Sequence, residues 1–364
     1  MEVYDLNRVR FGIIGCGVIA PFHAKAVKSD PRAELVAVCD IVEEKARVLA
    51  KDFNVEKVYT DYRIMLEDPE IDAVCICVPS GLHGECTIAA AKSGKHIFCE
   101  KPIDIKKHVI DEMIKAANEN KVKLGCVFQN RTRAGLIKAK QIIDRGDLGK
   151  MTIVECQYRG YRSPEYYASA EWRGTWDMDG GGCLMNQGVH AIDAMCWLAG
   201  EVKSVYAVTK AMLRDIEVED TAIAVMEFKN GALGALMGTT ISNVTEKGPE
   251  GDRIRIEFEK GSIVYAEGKT HLYLRKRIVP SAGSKSNDKI EIVCLDENDN
   301  IIDGSSASDN TAINDNGHEI LLKDLVSSIL EDRPPYITGE SARKAVDFIL
   351  AVYESSKSGN KVYL

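Results

Sequence analysis

The feature that most constrains this chain is an alternation that runs from residue 9 to about residue 126. Short apolar runs at Val9 to Ile14, Leu35 to Cys39, Ala73 to Val78, His96 to Cys99 and Leu124 to Val127 are separated by helix-like segments near 18–29, 42–53, 83–93 and 106–120. Continuous apolar runs of this length suit strands buried on both faces, and the amphipathic segments between them suit crossover helices. The pattern predicts βαβ units and a doubly wound parallel sheet.

After Val127 the pattern changes. A helix over 134–145 precedes segments that read as strands at 152–161, 202–213, 221–228, 232–242, 254–259, 262–266, 271–275 and 290–295. Asn230-Gly231 and Lys260-Gly261 stand where tight hairpin turns belong. Helices near 317–331 and 339–357 flank Pro334-Pro335, and the polar stretches 281–288 and 296–316 read as surface loops. The expected fold is an α/β Rossmann domain over 1–126 followed by a C-terminal α+β domain over 127–364 with a large, mostly antiparallel sheet.

A length of 364 residues accommodates two such domains. The net charge of −8 removes the field that would hold a chain on nucleic acid or an anionic membrane, so neither is an expected partner. The 11 cysteines fall mostly inside apolar runs, with no metal-like spacing. Reduced buried thiols, no metal site and a cytoplasmic location are therefore expected. The first residues include Glu2 and Asp5 and do not read as a secretory signal, and no apolar run approaches the ~18 residues of a membrane span.

Gly15-Cys16-Gly17-Val18-Ile19-Ala20 follows the first strand and opens the first helix. The first glycine permits the tight turn, the second lets backbone approach a pyrophosphate, and Ala20 lets helix and strand pack closely. Asp40 ends the second strand, where a carboxylate accepts from ribose hydroxyls and repels a 2′-phosphate; Ile41 and its neighbours supply no cation to offset it. NAD is the expected cofactor, with Gly15, Gly17, Val18, Ile19, Asp40 and Ile41 holding it. The turns at the carboxyl ends of later strands should line its other half, through Pro79, Ser80 and His83, and through Glu100, Lys101 and Pro102. By position alone Lys101 could equally be a solvated surface lysine.

Gly15-Cys16-Gly17, Glu100-Lys101-Pro102 and the segment Gly180 to Asp193, which contains Asn186, Gln187 and His190, together resemble the glucose-fructose oxidoreductase / inositol dehydrogenase (Gfo/Idh/MocA) family. The resemblance implies that Lys101 and His190 act on a substrate hydroxyl beside the nicotinamide. A histidine titrates near neutrality and suits a general base, while an ammonium stabilises the developing alkoxide. Read alone, His190 is equally a helix histidine satisfied by Asp193. Many polyol dehydrogenases of the family carry Asp where Asn186 stands, so Asn186 is expected to orient the hydroxyl without sharing its proton.

Tyr166-Tyr167 through Trp176, with Asp179 to Gln187, is similar to a narrower branch, the UDP-N-acetylglucosaminuronate 3-dehydrogenases. A count of charge over 129–173 agrees with an anionic ligand: six Arg and three Lys face five acidic residues, a net +4. Arginine grips diphosphates and carboxylates with paired donors. Arg131, Arg133, Arg159, Arg162 and Arg173 are candidates, with Arg131 and Arg173 preferred. Gln129, Trp172 and Arg173 are assigned to the cofactor. Lys101, Arg131, Tyr166, Asn186, Gln187 and His190 are assigned to a sugar or UDP-sugar acid substrate. The expected activity is NAD-dependent oxidation of a secondary hydroxyl of such a sugar acid, at C3. A free-sugar or inositol dehydrogenase and a non-catalytic NAD-binding regulator are the alternatives. The resemblance also implies a homodimer or homotetramer.

Overall fold

The computed structural model describes residues 8–244, 251–278, 289–295 and 316–364, with side chains described outside 275–278 and 289–295. The chain divides into two compact units: residues 1–129, 168–189 and 314–347 form the first, and 130–167, 190–313 and 348–364 the second. This division is not the linear one at residue 126/127. The helix Gly317–Leu330 packs against the first helix of the chain, which draws a late segment back to the early one.

The first unit is built on six parallel strands: β1 (Val9–Ile14), β2 (Ala33–Cys39), β3 (Lys57–Tyr59), β4 (Ala73–Ile76), β5 (His96–Cys99) and β6 (Leu124–Cys126), in the order β3-β2-β1-β4-β5-β6. This is the order of a dinucleotide-binding doubly wound sheet, reversing direction between β1 and β4. Helices α1 (Ala20–Lys28), α2 (Glu43–Phe53), α3 (Tyr62–Leu66), α4 (His83–Lys92) and α5 (Lys107–Glu119) connect the strands. All of β4 and nearly all of β1 are buried, which explains their unbroken apolar sequence. β3 and α3 were not anticipated: β3 is three half-buried residues at the sheet edge, too short to carry a pattern.

The second unit carries α6 (Ala134–Arg145), β7 (Met151–Arg159), α7 (Pro164–Ala168, whose last residue belongs to the first unit), α8 (Val189–Ala199, whose first residue belongs to the first unit), β8 (Val202–Lys210), β9 (Thr221–Phe228), β10 (Leu233–Thr239), β11 (Arg253–Phe258), β12 (Gly261–Ala266), β13 (Lys269–Ile278) and β14 (Lys289–Leu295). α9 (Gly317–Leu330) belongs to the first unit, α10 (Gly339–Ser358) runs across the division, and β15 (Val362–Tyr363) closes the chain. The nine strands follow the order β14-β13-β12-β11-β7-β10-β9-β8-β15. Hairpins fall at Asn230-Gly231 and Lys260-Gly261, as expected. One pair departs from the antiparallel pattern: β7 and β10 run parallel, because the long excursion between them is a crossover rather than a hairpin. The predicted loop 281–288 and all of 296–316 except Asn316 lie outside the described residues, as do residues 1–7.

Candidate active site

The carboxyl edge of the parallel sheet in the first unit gathers the sequence-predicted turns. Gly15 has φ +92°, and a Cβ there would stand 2.7 Å from the Cys77 carbonyl, so this turn requires glycine. At Gly17 an added Cβ would meet nothing within 4 Å, which leaves the backbone bare on an open side. α1 begins without a side-chain cap, and the amides of Gly17, Val18 and Ile19 have no partner among the described residues. Such a terminus attracts an anion.

Asp40 is fixed from two directions. Its Oδ2 accepts from the Cys16 amide and its Oδ1 from the Val42 amide, each at 2.8 Å, and each oxygen keeps lone-pair capacity for a ribose hydroxyl. Val18 and Ile41 are 85% and 90% exposed, unusual for apolar side chains and suited to covering a bound base. The residues present fit a dinucleotide. Cys16 takes no part in chemistry here: burial and the Asp40 charge push its thiol up to about 12.

At the second turn, Ser80 is buried and Pro79 precedes a 3-10 turn over Ser80–Leu82. His83 turns its ring nitrogens inward. Its Nδ1 lies 2.7 Å from the Pro102 carbonyl and its Nε2 3.0 Å from the Val78 carbonyl, and the ring is buried. With both nitrogens turned onto backbone, His83 braces two turns of this edge against each other.

Glu100 also turns its carboxylate inward. Its Oε1 accepts from His23 Nε2 at 2.7 Å and His318 Nε2 at 3.0 Å, and its Oε2 accepts from the Lys101 amide at 3.1 Å. Two imidazoles hold this buried carboxyl well below the usual carboxylate range. The three ligand atoms lie within 4.8 Å of one another, a spacing that could also suit a metal. Hydrogen bonding accounts for them better: His23 Nδ1 is buried and has no partner among the described residues, whereas a metal-ligating histidine normally donates from its other nitrogen. Glu100 is thus a buried anchor beneath Lys101.

Lys101, joined to Pro102 by a cis peptide bond, donates from Nζ to the Asn186 carbonyl at 2.9 Å. Asn186 lies in a π-helical turn, Cys183–Gly188, that leads into α8. Its Nδ2 donates to Asp179 Oδ1 at 2.6 Å, and its Oδ1 accepts from Gln187 Nε2 at 3.0 Å, which fixes the amide orientation. Burial pushes the Asp179 carboxyl up to about 6. Trp172 and Arg173 are half-buried, with the guanidinium 4.7 Å from the indole centroid. Gln129 opens a 3-10 turn and is half-buried.

In the second unit His190 lies in the first turn of α8, half-buried. Three residues on, the Asp193 carboxylate takes a two-pronged ion pair from Arg131: Nε to Oδ2 at 2.8 Å and Nη2 to Oδ1 at 2.5 Å. Both side chains are buried, so Arg131, the preferred substrate arginine, has its guanidinium engaged inside the protein. Tyr166 packs edge-on against Tyr167, and the Arg162 guanidinium sits 5.5 Å from the Tyr166 ring centroid. Arg214, absent from the sequence-based candidates, lies 5.2 Å from the Tyr161 ring centroid and donates to the Arg162 carbonyl.

Sequence reasoning missed His23, His318 and Asp179 as site partners. His318 stands 218 positions from Glu100, beyond any spacing rule. Asp179 had one visible signal, an acidic residue opening a Gly-Gly-Gly run beside aromatics.

Residues 9–128 match the model of an oxidoreductase family with an NAD-binding Rossmann fold, and residues 136–264 match the GFO/IDH/MocA C-terminal domain. A myo-inositol 2-dehydrogenase of Thermotoga maritima is 33% identical over 236 residues, 63% of this chain and 67% of the relative. The NAD(+) scyllo-inositol 2-dehydrogenase of Bacillus subtilis is 32% identical over 261 residues, 69% of this chain and 71% of the relative. Among solved structures, the WlbA dehydrogenase of Bordetella pertussis in complex with NADH and UDP-GlcNAcA superimposes with a TM-score of 0.81 at 29% identity, covering 98% of this chain and 99% of that one.

Proposed function

The chain belongs to the GFO/IDH/MocA oxidoreductase family and is an NAD-dependent sugar or polyol dehydrogenase acting on CH–OH groups, and from that premise we propose that it oxidises the C3 hydroxyl of a nucleotide-linked sugar acid such as UDP-N-acetylglucosaminuronate. The observation that carries this reading is the likeness, over nearly the whole chain, to a dehydrogenase solved with NADH and UDP-GlcNAcA. NAD, when bound, accepts the hydride from the carbinol carbon. In this reading Gly15, Gly17 and the α1 amides hold its pyrophosphate and Asp40 its ribose.

His190 takes the hydroxyl proton, and the Lys101 ammonium stabilises the alkoxide as it develops. Asn186, oriented by Asp179 and Gln187, supplies hydrogen bonding to the substrate rather than a proton. With Arg131 engaged by Asp193, the cations assigned to the ligand's anionic groups are Arg173 and Arg162. An inositol is the second reading, favoured by the inositol dehydrogenases among the relatives. The test is NADH formation from NAD⁺ with UDP-sugar acids, UDP-sugars, free sugars and inositols, each with and without 2-oxoglutarate. Turnover confined to UDP-sugar acids supports the reading, and turnover confined to inositols overturns it.

We also propose a homo-oligomer formed on the outward face of the nine-stranded sheet. Tyr206, Val208, Ile223, Val225, Leu233 and Met237 are all exposed, and β8–β9 and β9–β10 register aligns Val208 with Ile223 and Ile223 with Met237. An apolar band of this kind on a sheet face is costly in water and suits a second copy of the same chain. A reducing, cytoplasmic setting is the reading that suits cysteines placed mostly inside apolar runs. No described helix is long and apolar enough to cross a membrane.

A further inference from the structure

Asp179 is 1% exposed, and a carboxylate so buried is kept only where donors and cations face it. It receives the Gly174 amide on Oδ2 at 2.9 Å and the Asn186 side-chain amide on Oδ1 at 2.6 Å. The charges of Arg173 and Lys101 act on it favourably. Its backbone is fixed too. The Asp179 amide donates to the Thr175 carbonyl at 3.2 Å, and the next residue, Gly180 at φ +73°, lies so close to Ile105 that an added Cβ would stand 2.3 Å from it.

Asn186 is held at every polar atom that the structure describes: Nδ2 on Asp179, Oδ1 from Gln187, its own amide on the Gly182 carbonyl, and its carbonyl under Lys101 Nζ. A short chain of hydrogen bonds therefore joins the Asp179 carboxylate to the Lys101 ammonium through one residue. The same geometry explains why residue 186 is an amide. A carboxylate there would bring two carboxylate oxygens to about the 2.6 Å now spanned by the hydrogen bond, which is tolerable only with a shared proton.

We propose that Asp179 is a positioning residue of this enzyme, holding Asn186 and through it the ammonium of Lys101, so that the carboxylate serving this centre stands at 179 and the amide at 186. The inference rests on the reading of Lys101 as catalytic. Exchanging the two side chains preserves the logic. An Asn at 179 accepts from the Gly174 amide and donates to an Asp at 186, which still accepts from Gln187.

The experiment compares Asp179→Asn, Asn186→Asp, the double exchange D179N/N186D, and Lys101→Met with UDP-N-acetylglucosaminuronate and with myo-inositol. It reads kcat and KM from pH 5 to 9, with NADH affinity measured separately by tryptophan fluorescence. Misplacing Lys101 should lower kcat in D179N about 10- to 100-fold with NADH affinity within about twofold. The double exchange should recover at least about tenfold of that loss, and the acid limb of the wild-type kcat profile should be less steep in D179N, which loses the Asp179 proton step near pH 6 while the general base His190 remains. A D179N kcat and pH profile equal to wild type, or a folded double exchange no better than D179N, overturns the positioning role. Wild-type turnover by K101M instead overturns the reading of Lys101 itself, so the two failures are told apart. If D179N does not fold, the double exchange, which leaves each donor an acceptor, decides the matter alone.

Discussion

Replacing Arg131 by Met should unfold the second unit more readily rather than weaken substrate binding. The Arg131 guanidinium meets Asp193 through two parallel bonds of 2.5 and 2.8 Å, with both side chains almost wholly inside the protein. Burial already pushes the Asp193 carboxyl up against the pull of Arg131. Removing the cation leaves that carboxyl uncompensated, at a cost of about 3–5 kcal/mol. For a unit of this size that corresponds to a fall of roughly 6–20 °C in its melting temperature. Asp193 would then bind a proton more readily when folded than when unfolded. The stability it contributes is full below its unfolded pKa and lost as pH rises through the folded one, so the deficit should be larger at pH 8 than at pH 5. Calorimetry of wild type, R131M and the double variant R131M/D193L supplies the test, with the double variant expected to recover much of the loss. If R131M melts like wild type while the KM for substrate rises tenfold or more, the guanidinium serves the ligand and the reasoning fails.

Asp40→Ser should relax cofactor choice, lowering the NAD to NADP ratio of kcat/KM by about tenfold or more, since the carboxylate is what repels a 2′-phosphate; an unchanged ratio would mean that discrimination lies elsewhere. Asp179, raised from 3.8 to about 6, contributes stability that is present below about pH 4 and lost as pH rises toward 6, about 3 kcal/mol in all. Wild-type minus D179N stability, followed by urea denaturation, should fall across that window, and a flat difference would contradict the assigned burial. Glu100→Gln should lower stability by about 1–3 kcal/mol, because an amide cannot accept from His23, His318 and the Lys101 backbone together; an unchanged urea midpoint would refute that. Val225→Glu, at the centre of the apolar sheet face, should shift light-scattering mass toward the monomer. A monomeric wild type would remove the proposed interface.

What the sequence disclosed follows from where each constraint is local. β1, β4 and β5 were legible because burial on both faces forces unbroken apolar runs, and the glycine turn was legible because Gly15 needs a conformation other residues resist. β3, at the half-buried edge, left no pattern, and the parallel pairing of β7 with β10 depends on contacts 80 residues apart. In the site, Lys101 and Asn186 could be named from motifs, but not the bond between them. The pairing of Arg131 with Asp193 was hidden for the same reason. A cation in a basic window looks like a ligand contact until its buried partner 62 positions away is known. His83 and Glu100 stood in the right turns, yet their polar atoms face inward, which a motif does not record.

The most direct test of the account follows one hydrogen. UDP-N-acetylglucosaminuronate carrying deuterium at C3 is incubated with the enzyme and NAD⁺, with and without 2-oxoglutarate, and the reduced cofactor and sugar are analysed by mass spectrometry. The account predicts deuterium on the reduced nicotinamide, or on the reduced 2-oxo acid where the cofactor recycles, with a 3-oxo sugar as product and none of this transfer in Lys101→Met. Deuterium retained on a sugar that is nonetheless oxidised at another carbon, or transfer from an inositol but not from the sugar nucleotide, would contradict it.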